Sequence, residues 1–298
     1  MRRAFFLYGV CFSLNRVLPR ISFRGTMADE GDPAMVGQPN QTGVTRAQLA
    51  EQFATLGLPK GASVLVHSSL KSLGWIGGGA DAVVSALIDA VGPEGTVMAP
   101  QLPFGGSLTG YLTPAPTFDV RSTPSRMGAI TEALRLRPDA RRSLHSSHSV
   151  AVVGKLQAEM TRDHETSLTS CGRPSAYWKN AHRPNGWVLM IGVTLRNMTT
   201  FHSVEEVNEL PYLFSGTVFT SYVIDYEGRT LTIRTRGYAD GIKRNFPAPE
   251  PMLLKEGAMS IGRVAEAECR LMDASATFDL VERAVRKDPC LLLLDRPK

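Results

Sequence analysis

Apolar residues recur along the first half of the chain in alternating helical and extended spacings. Leu49, Phe53 and Leu56 follow Thr45 at helical spacing, and Thr45 is a residue type that caps helix starts. The short apolar run at 62–67 is typical of a buried strand. This segment therefore predicts a helix followed by a strand.

The same alternation continues to the end of the chain. Further helices are predicted at 78–91, from Thr123-Pro124 to Arg137, at 155–161, at 261–272 and at 277–287. Further strands are predicted at 96–99, 149–153, 187–193 and 290–294. Between 217 and 236, two alternating segments flank the turn pair Glu227-Gly228, which predicts an antiparallel hairpin. The fold class is therefore α/β, with a mixed central sheet flanked by helices and an antiparallel hairpin insertion.

Composition narrows the protein class. The chain has 298 residues, 43% of them hydrophobic, enough for one large globular domain or two closely merged lobes. It has no run of about 18 apolar residues, so we expect no membrane span. Its four cysteines are widely scattered and form no C-x-x-C pair. This pattern favours a reducing compartment, so we expect a cytoplasmic protein without a structural zinc or disulfide scaffold.

The net charge of +5 lies entirely in residues 1–26, which carry five arginines and no acid. From residue 27 onward, 28 basic and 28 acidic residues balance, so no nucleic-acid partner is expected. The N-terminal segment fits a secretory signal, an organelle transit peptide, or an over-extended reading frame that truly starts at Met27 or Met35. We expect residues 1–42 to be disordered or processed, and residues 43–298 to form the functional domain.

Two segments place polar and glycine residues beside predicted elements. His67-Ser68-Ser69-Leu70 ends the first strand, and a glycine-rich turn at 74–79 then leads into a helix. Backbone N–H groups at such a helix start can bind an anion, although the turn also suits a simple tight connection. The segment 121–128 can likewise either cap the next helix or contact a phosphate. Neither segment matches the nucleotide-binding glycine motifs.

Two histidine-bearing segments follow. In the serine-rich loop 142–149, His145 and His148 are three residues apart, but a metal site needs a third ligand that the sequence does not supply. After the strand at 187–193, Thr199 or Thr200 is predicted to cap a helix that carries His202 and Glu205 on one face. A carboxylate beside an imidazole fixes its tautomer and stabilises its protonated form, as suits a general base. An ordinary surface His–Glu pair is the alternative.

Together these segments resemble the aminoglycoside N3-acetyltransferase family, also called the antibiotic N-acetyltransferases. The family's motifs match His67–Gly79 (H-S-S-L, then Leu-Gly and G-G), Thr123–Gly128 (T-P-S-x-M-G), Arg142–Ser149 (R-S-x-H-P-x-x-S) and Thr199–Glu205 (T-x-x-H-x-x-E). Their order and spacing hold from about residue 45 to the end. The resemblance implies an antibiotic N-acetyltransferase-like fold and an enzyme of antibiotic resistance. That enzyme would transfer acetyl from acetyl-CoA, without a metal, to the 3-amine of a 2-deoxystreptamine aminoglycoside.

The resemblance also implies roles for individual residues. His202 is expected to be the base and Glu205 its orienting carboxylate, with His145 and Thr199 near the substrates. For His145, a packed loop histidine is the equal alternative. The residues expected to line the coenzyme site are Ser68, Ser69, Leu70, Gly77, Gly78, Ser125 and Met127, with nearby backbone N–H groups stabilising the oxyanion. Because Gln would remove only the partner's charge and orientation, we expect Glu205→Gln to lower turnover less than His202→Ala.

Three departures from the family pattern bear on the substrate. The chain beyond residue 26 is neutral, the segment 101–116 has no Asp or Glu, and Ser146 replaces the usual proline. A weak negative field suits a polycation poorly, so another amine is the alternative acceptor. A metal-dependent hydrolase using His145, His148 and His202 and a non-catalytic small-molecule-binding protein also stay open. We expect a monomer or a homodimer.

Overall fold

The computed structural model describes residues 43–295, so the expectation for residues 1–42 lies outside the described residues. The helices are α1 (Arg46–Thr55), α2 (Gly79–Val91), α3 (Leu108–Tyr111), α4 (Ala129–Leu136), α5 (Gln157–Thr161), α6 (Ala176–Ala181), α7 (Thr200–Val207), α8 (Glu250–Lys255) and α9 (Ala274–Lys287). The strands are β1 (Ser63–Ser68), β2 (Thr96–Pro100), β3 (Thr117–Asp119), β4 (Arg141–Arg142), β5 (Val150–Gly154), β6 (Gly186–Ile191), β7 (Phe214–Ile224), β8 (Thr230–Tyr238), β9 (Met259–Val264) and β10 (Ala267–Asp273). Thr45 caps α1 through its side chain, as predicted.

The central sheet has seven strands in the order β4-β5-β2-β1-β6-β10-β9. Strands β1, β2 and β6 run parallel, whereas β5 and β10 run antiparallel to their neighbours. The sheet is therefore mixed, which confirms the predicted α/β fold.

Side chains along the central strands alternate between two apolar layers, because successive residues of a strand point to opposite faces. In β1, Val64 and Val66 pack in the layer that holds α1, α2 and α4. Leu65 lies between them in sequence and packs in the other layer, with α6, α7 and α9. The sheet is therefore covered by helices on both faces.

A smaller sheet pairs β3, β7 and β8. Strands β7 and β8 are antiparallel and joined by a tight turn, in which the buried carboxylate of Asp225 accepts hydrogen bonds from the N–H groups of Glu227 and Arg229. This confirms the predicted hairpin insertion.

Three sequence predictions are wrong. The segment 261–272 forms most of the β9–β10 hairpin instead of a helix, because β10 pairs with β6 along its length. The segment 290–294 forms turns, with an isolated bridge between Arg244 and Leu293. Helix α4 begins at Ala129 rather than at Thr123, because Thr123 and Ser125 use their hydroxyls as acceptors for local backbone N–H groups. Within residues 43–295, no helix is long and apolar enough to cross a membrane.

One edge of the central sheet collects the functional segments. Because β1, β2 and β6 are parallel, Ser68, Pro100 and Ile191 end their strands at the same edge, where open α/β sheets bind ligands. Strand β5 is antiparallel to β2 and pairs Val150 with Pro100, so the histidine loop that precedes β5 reaches this edge too.

Candidate active site

Helix α7 starts close to this sheet edge, after β6 and a single 3-10 turn at Leu195–Asn197. The residue before the helix, Thr199, has helical backbone angles, and neither it nor Thr200 supplies a side-chain cap. The predicted cap is therefore wrong. The N–H of Phe201 instead bonds the Met198 carbonyl, since the preceding turn runs almost directly into the helix.

His202 and Glu205 pair on α7 as predicted, with 2.7 Å between His202 Nδ1 and Glu205 Oε2. The Glu205 side chain is fully buried, whereas the imidazole keeps 18% of its surface exposed. The same carboxylate accepts hydrogen bonds from the Tyr212 hydroxyl at 2.9 Å and from Arg244 Nε at 3.0 and 3.1 Å. Tyr212 and Arg244 thus hold the Glu205 carboxylate in place, and this carboxylate fixes the orientation of the His202 ring.

The charges around the pair decide its protonation. Burial alone would raise the pKa of Glu205, but the hydrogen bond and charge of His202 and the guanidinium of Arg244 outweigh it and lower that pKa. The pKa of His202 is also lowered, first by burial and then by Arg244, although Glu205 acts to raise it. The expected stabilisation of the protonated ring is therefore overridden, and His202 is neutral near pH 7. Donation from Nδ1–H to the carboxylate leaves the ring's lone pair on Nε2.

His202 lines a cleft of about 370 Å³, here called the α7 cleft. Its lining consists of Leu102, Phe104, Gly106, Ser107, Leu108, Thr109, His148, His202, Tyr238, Ala239, Asp240, Gly241, Ile242 and Arg244. The wall is aromatic near the imidazole, with the rings of His202 and Tyr238 5.4 Å apart. Asp240 is exposed and makes no hydrogen bond or ion pair with any residue of the described chain.

A second buried carboxylate holds Tyr238 in place. Glu206 accepts a hydrogen bond from the Tyr238 hydroxyl at 2.5 Å and from the backbone N–H groups of Ser170 and Cys171. Burial raises the pKa of Glu206 to about 7, although the hydrogen bonds from the Tyr238 hydroxyl and the Cys171 N–H act to lower it. Neighbouring acids on α7 thus do different work: Glu205 holds the imidazole, and Glu206 holds the cleft wall.

The two histidines of the serine-rich loop have different surroundings. His148 lines the α7 cleft. His145 is fully buried, lines neither this cleft nor the cavity described next, and stacks on His164 with 4.5 Å between ring centroids. Within residues 43–295, no three His, Cys, Asp or Glu side chains are grouped so that they could hold a metal ion.

A smaller cavity of about 70 Å³ opens at the carboxyl edge of the sheet, here called the β-edge cavity. Its lining consists of Val66, His67, Ser68, Pro100, Met127, Thr131, Val193, Asn197 and Thr199. Thr199 precedes His202 by one helical turn, and its carbonyl accepts the His202 N–H at 3.0 Å. The start of α7 therefore lies between the β-edge cavity and the α7 cleft.

The other residues expected to bind the coenzyme are not among those that line the β-edge cavity. The Ser69 hydroxyl bonds that of Ser72, and the partly buried Leu70 packs on the core. Ser125 accepts the Met127 N–H with its hydroxyl. Gly77 and Gly78 line neither cavity. The structure thus brings Ser68, Met127 and Thr199 together and leaves the glycine turn apart.

Sequence reasoning missed four residues that shape the site: Tyr212, Tyr238, Asp240 and Arg244. They follow α7 at varied separations, and Arg244 lies 39 positions beyond its partner Glu205. No local spacing connects such residues, so only their common position around α7 identifies them.

Comparisons with known proteins identify the family of this chain. The model of the family "Aminoglycoside 3-N-acetyltransferase" matches residues 65–286. The SPbeta prophage-derived aminoglycoside N(3')-acetyltransferase-like protein YokD of Bacillus subtilis (strain 168) is 29% identical over 260 residues, which cover 80% of this chain and 91% of that protein. Aminoglycoside N(3)-acetyltransferase III of Salmonella sp is 34% identical over 180 residues, which cover 56% of this chain and 62% of that protein.

A solved structure shares the fold. The structure "AAC-IIIb binary with CoASH" superimposes with a TM-score of 0.71 at 24% identity, covering 85% of this chain and 99% of that one. At this identity the likeness shows the fold alone. The family match spans well over half of the chain and includes all four sequence motifs. The chain therefore belongs to the aminoglycoside 3-N-acetyltransferase family and is an acyltransferase.

Proposed function

We propose that this enzyme transfers the acetyl group of acetyl-CoA to an amine of an aminoglycoside, with His202 as the general base. The observation that carries this proposal is the His202–Glu205 pair, held by Arg244 and Tyr212 at the start of α7 between two cavities. A neutral imidazole with its lone pair on Nε2 is the form that can take a proton.

The donor is proposed to enter from the sheet edge. The β-edge cavity presents Ser68, Met127 and Thr199, three of the residues that the family resemblance assigns to the coenzyme or the substrates. A relative of the same fold is known in complex with CoASH. The small volume of the cavity suits the acetyl-thioester end of the donor, which would then lie one helical turn from His202.

The reaction then needs one base and one electrophile. The amine nitrogen attacks the thioester carbon while His202 Nε2 takes its proton, and a tetrahedral intermediate forms. Collapse of the intermediate breaks the C–S bond and releases coenzyme A, whose sulfur receives the proton from His202. The products are the N-acetylated amine and the free thiol. The ionised Glu205 stabilises the transient imidazolium.

The acceptor is proposed to occupy the α7 cleft. Its aromatic wall at Phe104 and Tyr238 offers apolar contact to a sugar ring, and the exposed carboxylate of Asp240 suits an ammonium group. Aminoglycosides carry several ammonium groups, and they are the acceptors named in the descriptions of the family and of its curated relatives. The unpaired carboxylate of Asp240 can bind one ammonium group of the acceptor. Another amine that places an ammonium group near Asp240 is therefore the second candidate acceptor.

A thiol-release assay with acetyl-CoA and a panel of aminoglycosides tests the proposal. Release with a 2-deoxystreptamine aminoglycoside, and acetylation of its 3-amine in the isolated product, is the expected result. His202→Ala should lower kcat by about 10²–10⁴-fold, the loss expected for a general base. His182→Ala is the matched control, since this imidazole is exposed and stacks on Trp178. Absence of release with every aminoglycoside, but release with another amine, would shift the assignment to the second candidate.

We also propose a reducing compartment such as the cytoplasm as the site of action. The support is that Cys171, Cys269 and Cys290 are free thiols.

A further inference from the structure

His148 is a second imidazole in the α7 cleft that the proposed mechanism does not yet use. Its ring centroid lies 6.3 Å from that of His202, and the two rings are nearly perpendicular, at 82°. This spacing is that of edge-to-face packing, so the two rings are neighbours on the wall of the α7 cleft. The reacting atoms of the proposed acetyl transfer, on which this inference rests, would therefore pass within reach of both.

The position of His148 is well defined by its loop. The residue is 3% exposed, and its backbone N–H donates to His145 Nδ1 at 3.2 Å. Its ring packs edge-on against Phe104, with 5.8 Å between centroids. Its Nδ1 lies 3.0 Å from the hydroxyl of Ser147, whereas its Nε2 has no hydrogen-bond partner in residues 43–295. The Nε2 atom of this ordered ring can therefore form a hydrogen bond with a ligand in the α7 cleft.

The hydrogen bonds of the loop favour one tautomer of His148, because the shortest contact of the Ser147 hydroxyl is with the His148 ring. The single lone pair of His145 Nδ1 already faces two backbone donors, the N–H groups of Ser147 and His148. The Ser147 hydroxyl lies 3.4 Å from that nitrogen and 3.5 Å from Ser170 Oγ, so the nearest acceptor for its proton is His148 Nδ1 at 3.0 Å. With Nδ1 accepting, the ring proton of His148 is on Nε2.

The ring is also neutral. Burial is the main cause that lowers the pKa of His148 well below its ordinary value, and His202, His164 and Arg244 act in the same direction whenever they are charged. A neutral imidazole with its proton on Nε2 donates a hydrogen bond and does not itself titrate near pH 7. Such a group can stabilise negative charge on a substrate oxygen.

The glycine turn does not supply all the oxyanion donors that the sequence suggested. The Gly77 N–H bonds the Val44 carbonyl, and the Gly79 N–H bonds the Ile76 carbonyl. We propose that His148 is a further catalytic residue, whose Nε2–H donates a hydrogen bond to the thioester oxygen as that oxygen becomes negative in the tetrahedral intermediate.

Paired substitutions at position 148 test this role. His148→Leu removes the donor and should lower kcat by about 10²–10³-fold, with the KM for the amine nearly unchanged. His148→Gln places an amide N–H close to the former Nε2 and should recover at least tenfold of the loss. The acid limb of the pH–rate profile should stay in place, since His148 does not titrate there. His182→Leu, at an exposed imidazole away from the cleft, should change none of these values.

A donor analogue separates catalysis from folding. In dithioacetyl-CoA a sulfur replaces the carbonyl oxygen and accepts hydrogen bonds weakly. Replacing acetyl-CoA with dithioacetyl-CoA should therefore lower kcat much more for the wild type than for the His148→Leu variant. The ratio of the two donors' rates is internal to each protein and independent of the fraction folded. Equal ratios in both proteins, or a raised KM at unchanged kcat, would overturn the proposal. If the wild type released no thiol with any amine, the proposed function itself would fail first.

Discussion

Glu205→Gln is the substitution that most directly probes the site, because the new amide must divide its two ends among three partners. At Glu205, Oε1 accepts from Tyr212 and Arg244, and Oε2 accepts from Arg244 and His202. Tyr212 and Arg244 are donors, so the amide oxygen is drawn to the Oε1 position. The amide NH₂ then faces His202 Nδ1 and forces its lone pair there, leaving the ring proton on Nε2.

The wrong tautomer cannot take a proton from the amine. In a Ser-His-Asp protease, replacing the orienting carboxylate by an amide lowers kcat by about 10⁴-fold through this tautomer change, and we expect a loss of the same order here. This corresponds to about 5 kcal/mol of transition-state stabilisation, at 1.36 kcal/mol per tenfold. The result should match or exceed the loss in His202→Ala, contrary to the expectation from sequence. The substitution should also reduce the free energy of unfolding by about 3–5 kcal/mol, because Arg244 loses its buried counter-charge.

The assay is steady-state thiol release at saturating acetyl-CoA and amine, on protein shown to be folded by its thermal transition. Glu209→Gln is the matched control, since Glu209 is exposed and pairs with Arg236 at 2.8 Å. It should keep wild-type kcat. A folded Glu205→Gln enzyme that kept kcat within about tenfold of wild type would refute the tautomer argument.

Three further outcomes follow from the same contacts. Arg244→Met removes a positive charge that lowers the pKa of His202, so that pKa should rise and the acid limb of kcat/KM should move to higher pH; an unmoved or lower limb would contradict the electrostatics. Asp240→Asn should raise the KM for a cationic amine while leaving kcat unchanged, measured at low and high salt, and an unchanged KM would remove Asp240 from the acceptor site. Phe278→Ala, at a ring 1% exposed, should cost about 3–5 kcal/mol of unfolding free energy in urea while the folded enzyme keeps its kcat; a loss under 1 kcal/mol would show that the core closes around the gap.

Sequence patterns predicted correctly those elements whose structure depends on residues within one short segment. The helix at 46–55, the hairpin at 214–238 and the His202–Glu205 pair all depend on neighbours within a few residues. Helical spacing, turn residues and the i,i+3 relation involve only residues that are close in the sequence, so the sequence alone predicts them.

Pairing across the sheet overrode local preference elsewhere. The segment 261–272 is rich in helix-forming Ala, Glu and Arg, yet Cys269 and Leu271 pair with Ile191 and Leu189 of β6. The ladder and the burial that it brings outweigh the helix propensity of about 0.7 kcal/mol or less per residue. Leu292 is buried without joining the sheet, although its apolar run is typical of a strand.

By itself, the sequence determined the family, the α/β class and the His202–Glu205 pair, because motifs and short spacings are properties of the chain. Only the tertiary structure decided that His202 is neutral, since its pKa depends on burial and on Arg244, 42 positions away. It also decided that His148 shares the cleft with His202 while His145 does not. Charge and desolvation act through space, and the distances that govern them exist only after the chain has folded.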